Sequence, residues 1–242
     1  MKINTHSHSR LSSIALATAL LGTVSTTHAA SIAVINSSFE SPVTSDYVNI
    51  NGGLPGWSAP ASVNTYVVKN GGLVSFTSGV TGNQALFFEP YADGGNSYVY
   101  QNTGAAFAAG TYTLTVDIGY GLGFATAGGN ATANFQLLSY DGSPPYNYSV
   151  GAAATTVSAA TLAGHNGNLL AYTYTLNLDG SEDFIGDAVV IFLQAQTTTP
   201  GTFQNVSYDN VRLNFTPIPE PSSVAMLLGG IGALTLRRRR SV

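Results

Sequence analysis

From position 110 the chain alternates strictly: Tyr112, Leu114, Val116 and Ile118 are apolar, while Thr111, Thr113, Thr115 and Asp117 between them are polar. A period of two, with nothing at 3.6, predicts a half-buried strand. The alternation returns at 171–178, where Tyr172, Tyr174, Leu176 and Leu178 share a face. Residues 188–193 are apolar on both faces, the pattern of a central strand covered twice. Further strands are predicted at 84–88, 97–101 and 132–140. Turn signals separate them, among them Asn70-Gly71-Gly72, Gly128-Gly129-Asn130 and Asp179-Gly180. The body contains no convincing amphipathic helix. Roughly eight to ten strands at this spacing predict an all-β fold, an antiparallel two-sheet β-sandwich of jelly-roll type.

The last strand changes phase. Val206 and Tyr208 are apolar at even positions, whereas Val211, Leu213 and Phe215 are apolar at odd ones. A period-two pattern shifts phase only through an extra residue, so a bulge is predicted at Asp209-Asn210. Thr111, Thr113 and Thr115 line one strand face, with no repeated T-x-T array expected on other strands.

The two ends depart from this pattern. Lys2 and Arg10 precede an apolar segment from Leu11 to Val24, followed by Thr27-His28-Ala29-Ala30, which reads as a secretory signal peptide cut after Ala29. At the other end, Pro219-Glu220-Pro221 is followed by an uncharged apolar run, 222–236, and by Arg237, Arg238, Arg239 and Arg240. Arginines held at the cytoplasmic face after an apolar run form a stop-transfer pattern. At 1.5 Å per residue the run reaches roughly 22 Å, short of the ~30 Å hydrocarbon core. A short transmembrane helix of this kind serves as a provisional hold. The expected division is therefore a signal peptide at 1–29, a β-sandwich domain at 30–216 and a sorting signal at 217–242. The body would be translocated, with an inner-membrane intermediate tethered by its C-terminus.

Composition sharpens the picture of the body. The whole chain has a formal charge of −4, but between 30 and 216 only Lys69 and Arg212 are basic against eleven acids, leaving −9. Such a surface repels phosphate backbones and excludes nucleic-acid binding. Charged residues make up only 8% of the chain, yet all eleven Phe, all thirteen Tyr and the one Trp lie in the body. That argues for a packed core and against disorder. With no cysteine, the fold uses no disulfide.

The Pro-Glu-Pro motif, short apolar run and arginine cluster, in that order, resemble the PEP-CTERM sorting domain, which is also labelled the ice-binding protein C-terminal domain. The label belongs to the sorting signal and transfers no activity to the body. The resemblance implies processing by an exosortase, with signal peptidase acting at the other end. It also implies release or attachment at the cell surface, in an exopolysaccharide and biofilm-matrix context. The body resembles galactose-binding-like and carbohydrate-binding-module β-sandwiches in three places. These are Asn36-Ser37-Ser38-Phe39-Glu40 with Pro55-Gly56-Trp57, the strand beginning at Gly110, and the closing Asp209-Asn210-Val211-Arg212-Leu213. That resemblance implies a structural calcium at Glu40 and Asp209, with backbone carbonyls completing the oxygen ligation that calcium requires.

Catalytic constellations are sparse. His165 is the body's single histidine, in a Gly-Asn-rich loop, and no G-x-S-x-G elbow accompanies it. Zinc chemistry has neither a histidine pair nor a cysteine. Glu89 and Asp93 are the carboxyls that would serve glycoside hydrolysis. The acidic run Asp179, Glu182, Asp183 and Asp187 reads as a solvated hairpin turn, because Phe184 stands where a calcium loop needs glycine. Tyr146 and Tyr148, flanking Asn147 on a predicted loop, are candidate sugar-stacking residues. Trp57 after Pro55-Gly56 is expected in the core. The expectation is a non-enzymatic protein of the cell surface or extracellular matrix, structural or adhesive, with a glycan-binding module as the alternative.

Overall fold

Two antiparallel sheets enclose the apolar faces that the alternation defines. The computed structural model describes residues 28–50, 53–60, 65–89, 96–123, 131–140, 148–149, 154–197 and 205–218. The signal segment, the Pro-Glu-Pro motif, the apolar run of the tail, Arg237–Arg240, Asp93 and Tyr146 all lie outside them. In chain order the strands are β1 (Ala30–Ile32), β2 (Tyr47–Asn49), β3 (Thr65–Lys69), β4 (Gln84–Phe88), β5 (Asn96–Ala106) and β6 (Gly110–Gly119). Then follow β7 (Ala131–Tyr140), β8 (Tyr148–Ser149), β9 (Thr155–Val157), β10 (Leu170–Leu178), β11 (Ala188–Thr197) and β12 (Val206–Pro217). The larger sheet runs β10-β6-β12-β4-β3-β2, with β1 also paired to β12. The smaller runs β5-β11-β7-β8, with β9 also paired to β7. Residues Ala29–Ile218 form one compact unit.

The alternating residues fill the space between the sheets. Tyr112, Leu114, Val116 and Ile118 of β6 are buried with Tyr174, Leu176 and Leu178 of β10, Leu86 and Phe88 of β4, and Tyr208 of β12. From the facing sheet come Phe135 and Leu137 of β7 and Val189, Ile191 and Leu193 of β11. β11 sits between β5 and β7, the central place its apolar run predicts. Burying an aromatic or aliphatic side chain of this size stabilises by about 1.5–3 kcal/mol. A core of this extent suits a chain with almost no charge to solvate it.

The phase change in β12 is a bulge. The pairing of β12 with β6 slips between Asp209 and Arg212, and Asn210 adopts φ 49°. A left-handed backbone at asparagine is tolerated because its side chain bonds locally. Here Asn210 Nδ2 donates to Asp117 at 2.9 Å, and Arg212 pairs with the same carboxylate at 3.0 Å.

Two differences from the sequence reading have physical causes. A short helix, α1 (Ala159–Ala163), follows β9, with Ser158 accepting from Thr161 N at 3.1 Å as its N-cap. Five residues are too few to display a 3.6 period. The second concerns threonine. Thr173 and Thr175 of β10 lie in register with Thr115 and Thr113 of β6, so a T-x-T pair does repeat on the neighbouring strand. The sequence separation of about sixty residues conceals this adjacency. The resulting outer face is hydroxyl-rich, with Thr111 donating to Asn177 at 2.8 Å.

Candidate functional site: an aromatic pocket with one carboxyl

On β3 and β4, the residues that alternate with the core point to the outer face of the larger sheet. Val68, Ala85 and Phe87 form a second apolar cluster there with Val74, Phe76 and Leu169. The register places Tyr47 opposite Val68, and Tyr66 opposite Phe87. Tyr47, Tyr66, Val68, Leu73, Val74, Phe87 and Glu89 line a pocket of about 80 Å³. Its floor is buried, with Val74 and Phe87 at 1% and 3% exposure, whereas Tyr47 and Leu73 on the rim remain 51% and 43% exposed. The rings of Tyr47 and Tyr66 meet edge to face at 5.6 Å, and those of Tyr66 and Phe87 lie 6.3 Å apart.

Among the described residues, Glu89 is the single ionisable carboxyl on this lining. Partial burial raises its pKa above the ordinary carboxylate value, and a hydrogen bond from the Tyr66 side chain works against that shift. Desolvation disfavours the charged form, so the acid keeps its proton to higher pH than a solvated glutamate does. A carboxyl in this state donates a proton to a bound base and, once ionised, accepts one back.

The wall formed by Leu73 and Val74 is held by Asp46. Asp46 Oδ1 accepts from Leu73 N at 2.7 Å, and Lys69 N donates to the Asp46 carbonyl at 2.7 Å. Gly72 lies against this carboxylate: a Cβ there would press on Asp46 Oδ1, so a side chain at this position would have to displace the carboxylate from the Leu73 amide. Asn70 closes the loop from within, its Oδ1 accepting from Phe76 N at 2.8 Å.

Glu40 and Asp209, the carboxylates nominated for calcium, lie elsewhere, where the opening motif meets the bulge. Glu40 Oε1 accepts from Asn83 N and Gln84 N at 2.8 and 2.7 Å. Asp209 is fully buried, with Oδ2 accepting from Thr81 N at 2.5 Å and Oδ1 from Asn210 N at 2.6 Å. Burial pushes the pKa of Asp209 up to about 8, the amides of Thr81 and Asn210 oppose that, and the charges of Asp117 and Glu40 add to it. Three of the four carboxylate oxygens therefore already accept from backbone amides. No group of three or more His, Cys, Asp or Glu placed to hold a metal occurs among the described residues.

The rest of the opening motif is a clamp. Trp57, 2% exposed, donates from Nε1 to the Ile35 carbonyl at 3.0 Å and packs its ring 5.3 Å from Phe39. Gln84 donates to the carbonyls of Phe39 and Pro42 at 3.0 and 2.9 Å. His165 is exposed in the loop after α1. Glu182 caps the amides of Asp179 and Gly180 at 3.0 and 2.9 Å, the self-contained acidic turn that the sequence suggests. Tyr148 is placed in β8, on the smaller sheet.

The architecture is thus an all-β sandwich with a small aromatic pocket, carrying one partly buried carboxyl, on the outer face of one sheet. Residues 30–214 match the family model described as HpiC1 cyclase, and the chain belongs to this HpiC1-like family. Residues 217–241 match the PEP-CTERM protein-sorting motif, so the protein is exported by exosortase processing to the cell surface. Among solved structures, the chain is similar to the Stig cyclase Fisc from Fischerella sp. TAU in complex with (3Z)-3-(1-methyl-2-pyrrolidinylidene)-3H-indole. Identity is 22%, the match covers 78% of this chain and 99% of that one, and the TM-score is 0.58. A cyclase from the same Fischerella strain, in complex with 4-(1H-indol-3-yl)butan-2-one, matches at 22% identity and TM-score 0.57, covering 78% and 98% of the two chains. The carbohydrate-binding module TmCBM61, in complex with β-1,4-galactotriose, matches at 13% identity and TM-score 0.43, covering 76% and 97%. The comparison with curated proteins gives no match.

The expectation of a non-enzymatic body is overturned. The family is one of cyclases, which are enzymes, and its model spans nearly the whole body. The sequence signal failed because the aromatic residues of the pocket come from three separate strands and form no local motif. Only Glu89 was visible beforehand, as a candidate acid for a different chemistry.

Proposed function

We propose that this protein is an exported cyclase that closes a ring at the aromatic pocket, with Glu89 as proton donor and acceptor. The observation that carries this is the pairing of a partly buried carboxyl, its pKa raised by desolvation, with three aromatic side chains in one cavity. The Glu89 proton passes to one π-bond of the substrate, leaving a carbocation against the rings of Tyr47, Tyr66 and Phe87. Ring faces attract such a cation by roughly 0.5–2 kcal/mol each. An internal π-bond of the substrate supplies the electron pair for the new carbon–carbon bond. The Glu89 carboxylate then takes back a proton, so the product is an isomer of the substrate and no oxidant or reductant is consumed. Family membership and the indole-bearing ligands of the Fischerella structures support an indole as substrate, and the π-bond that ring closure consumes calls for an alkene attached to it.

The test is turnover of indoles carrying a pendant alkene by purified mature protein, followed by chromatography and mass spectrometry. An isomer of unchanged mass is expected, with deuterium incorporated from heavy water and formation suppressed in Glu89→Gln. Unchanged turnover in that variant would remove Glu89 from the mechanism.

The finer expectations about where the enzyme works stand beside this reading. The sorting motif supports a place in the exopolysaccharide-rich surface layer, reached by an inner-membrane intermediate with the boundaries 1–29, 30–216 and 217–242. Glycan binding through Tyr146 and Tyr148 would be a second activity, with Tyr148 in β8 of the smaller sheet. A glycan array with Tyr146→Ala and Tyr148→Ala tests it, and signal no higher than background removes it. Calcium at Glu40 and Asp209 is a separate proposal. A melting-temperature rise on adding calcium, abolished in Glu40→Gln, supports it, and no shift removes it.

A further inference from the structure

Resting on the reading of this pocket as the active site, we propose that its ligand is cationic: an amine held against the rings of Tyr47, Tyr66 and Phe87 and opposite Glu89. Several independent features point this way. Among the described residues the lining has three aromatic side chains, three aliphatic ones and a single ionisable carboxyl, and no lysine, arginine or histidine. An aromatic enclosure with one acid is the arrangement by which proteins take up ammonium groups, because the ring quadrupole and the carboxylate attract the same charge.

A second carboxylate stands behind the wall. Asp46 Oδ1 is fixed on Leu73 N, so its negative charge faces the same turn that closes the pocket. The field of the whole body has the same sign, since Lys69 and Arg212 are its only basic residues against eleven acids. Arg212 is itself paired with Asp117 at 3.0 Å. A surface of this charge draws cations toward its clefts and repels anions. The exposed rim residues Tyr47 and Leu73 leave the mouth open, so an amine carried on a larger aromatic body can enter with that body lying on the rim. A bound ammonium offsets the desolvation that a lone carboxylate meets there, so the ligand favours the ionised form of Glu89, the form that serves as proton acceptor in the catalytic cycle.

Three indoles of nearly equal size separate charge from shape: tryptamine is a cation, tryptophol is neutral and indole-3-acetate is an anion. Calorimetric titration of the full mature protein is expected to show tryptamine binding about ten-fold tighter than tryptophol, with indole-3-acetate weakest. In Glu89→Gln the ten-fold preference falls to about two- or three-fold, the part due to the rings. Tyr47→Leu keeps the apolar rim on an exposed position, removes one ring, and also reduces the preference. Chemical-shift changes confined to Tyr47, Tyr66 and Phe87 locate the bound probe. Equal binding of tryptamine and tryptophol overturns the inference while leaving the pocket as the site. So does a tryptamine preference that both variants leave intact. Failure of all three indoles to perturb the pocket overturns the active-site reading, and the inference falls with it.

Discussion

The hydroxyl of Tyr208, on β12 of the larger sheet, donates to the carbonyl of Gln194, on β11 of the smaller, at 2.5 Å. Tyr208 is fully buried and its ring meets Phe88 edge to face at 5.2 Å, so one side chain ties the two sheets by both packing and a hydrogen bond. Tyr208→Phe keeps the ring and leaves the Gln194 carbonyl without this donor. The expected cost is about 1–2 kcal/mol, read as a melting-temperature drop of roughly 2–8 °C by calorimetry. No drop would mean that the bond contributes nothing net.

Trp57 provides a harsher test of the clamp. Its ring is buried against Phe39 and its Nε1 is bonded to Ile35. Trp57→Ala is expected to destabilise by about 3–5 kcal/mol in denaturant unfolding, because transfer and cavity costs add. Retention of wild-type stability would instead place the indole in a ligand-facing role.

Glu89→Gln addresses chemistry without changing shape. Loss of a positioned proton donor is expected to lower turnover by about 10²–10⁴-fold. The wild-type rate should fall as pH rises through the raised Glu89 value, since only the protonated carboxyl can donate, and the variant should lack that limb. The sign for stability agrees. Because the folded-state pKa is raised, folding favours the protonated form, and wild type should lose ground to Glu89→Gln as pH increases. A rate profile that rises through the same range would show that Glu89 acts first as a base.

Processing of the tail predicts a particular mature terminus. Mass spectrometry of protein recovered from its own cells should show no arginine cluster, with the C-terminus at or near Pro219–Pro221. Recovery of an intact chain ending at Val242 would show that the sorting motif is not processed.

The signals legible beforehand were those that act over a few neighbouring residues. The alternation at Tyr112–Ile118 and at Tyr172–Leu178 marks strands, because successive side chains of extended backbone point to opposite faces. The phase change after Tyr208 marks the bulge for the same reason, and the Pro-Glu-Pro motif with its arginines marks export. Glu40, Phe39 and Trp57 were legible as a motif, and Trp57 lies inside the core as its place after Pro55-Gly56 suggests, whereas the bonds of Glu40 to two backbone amides about forty residues on were not legible.

Local order along the chain thus specified an exported sandwich, through period, phase and the charges at the two ends. Pairing decided the candidate pocket. Tyr47, Tyr66, Phe87 and Glu89 meet only because β2, β3 and β4 align in one register, with Asp46 fastening Leu73 across their outer face. Hydrogen bonds between strands set that register, and residues twenty or forty positions apart leave no trace of it in the linear sequence. For that reason the body reads along its length as an inert scaffold and folds into an enzyme.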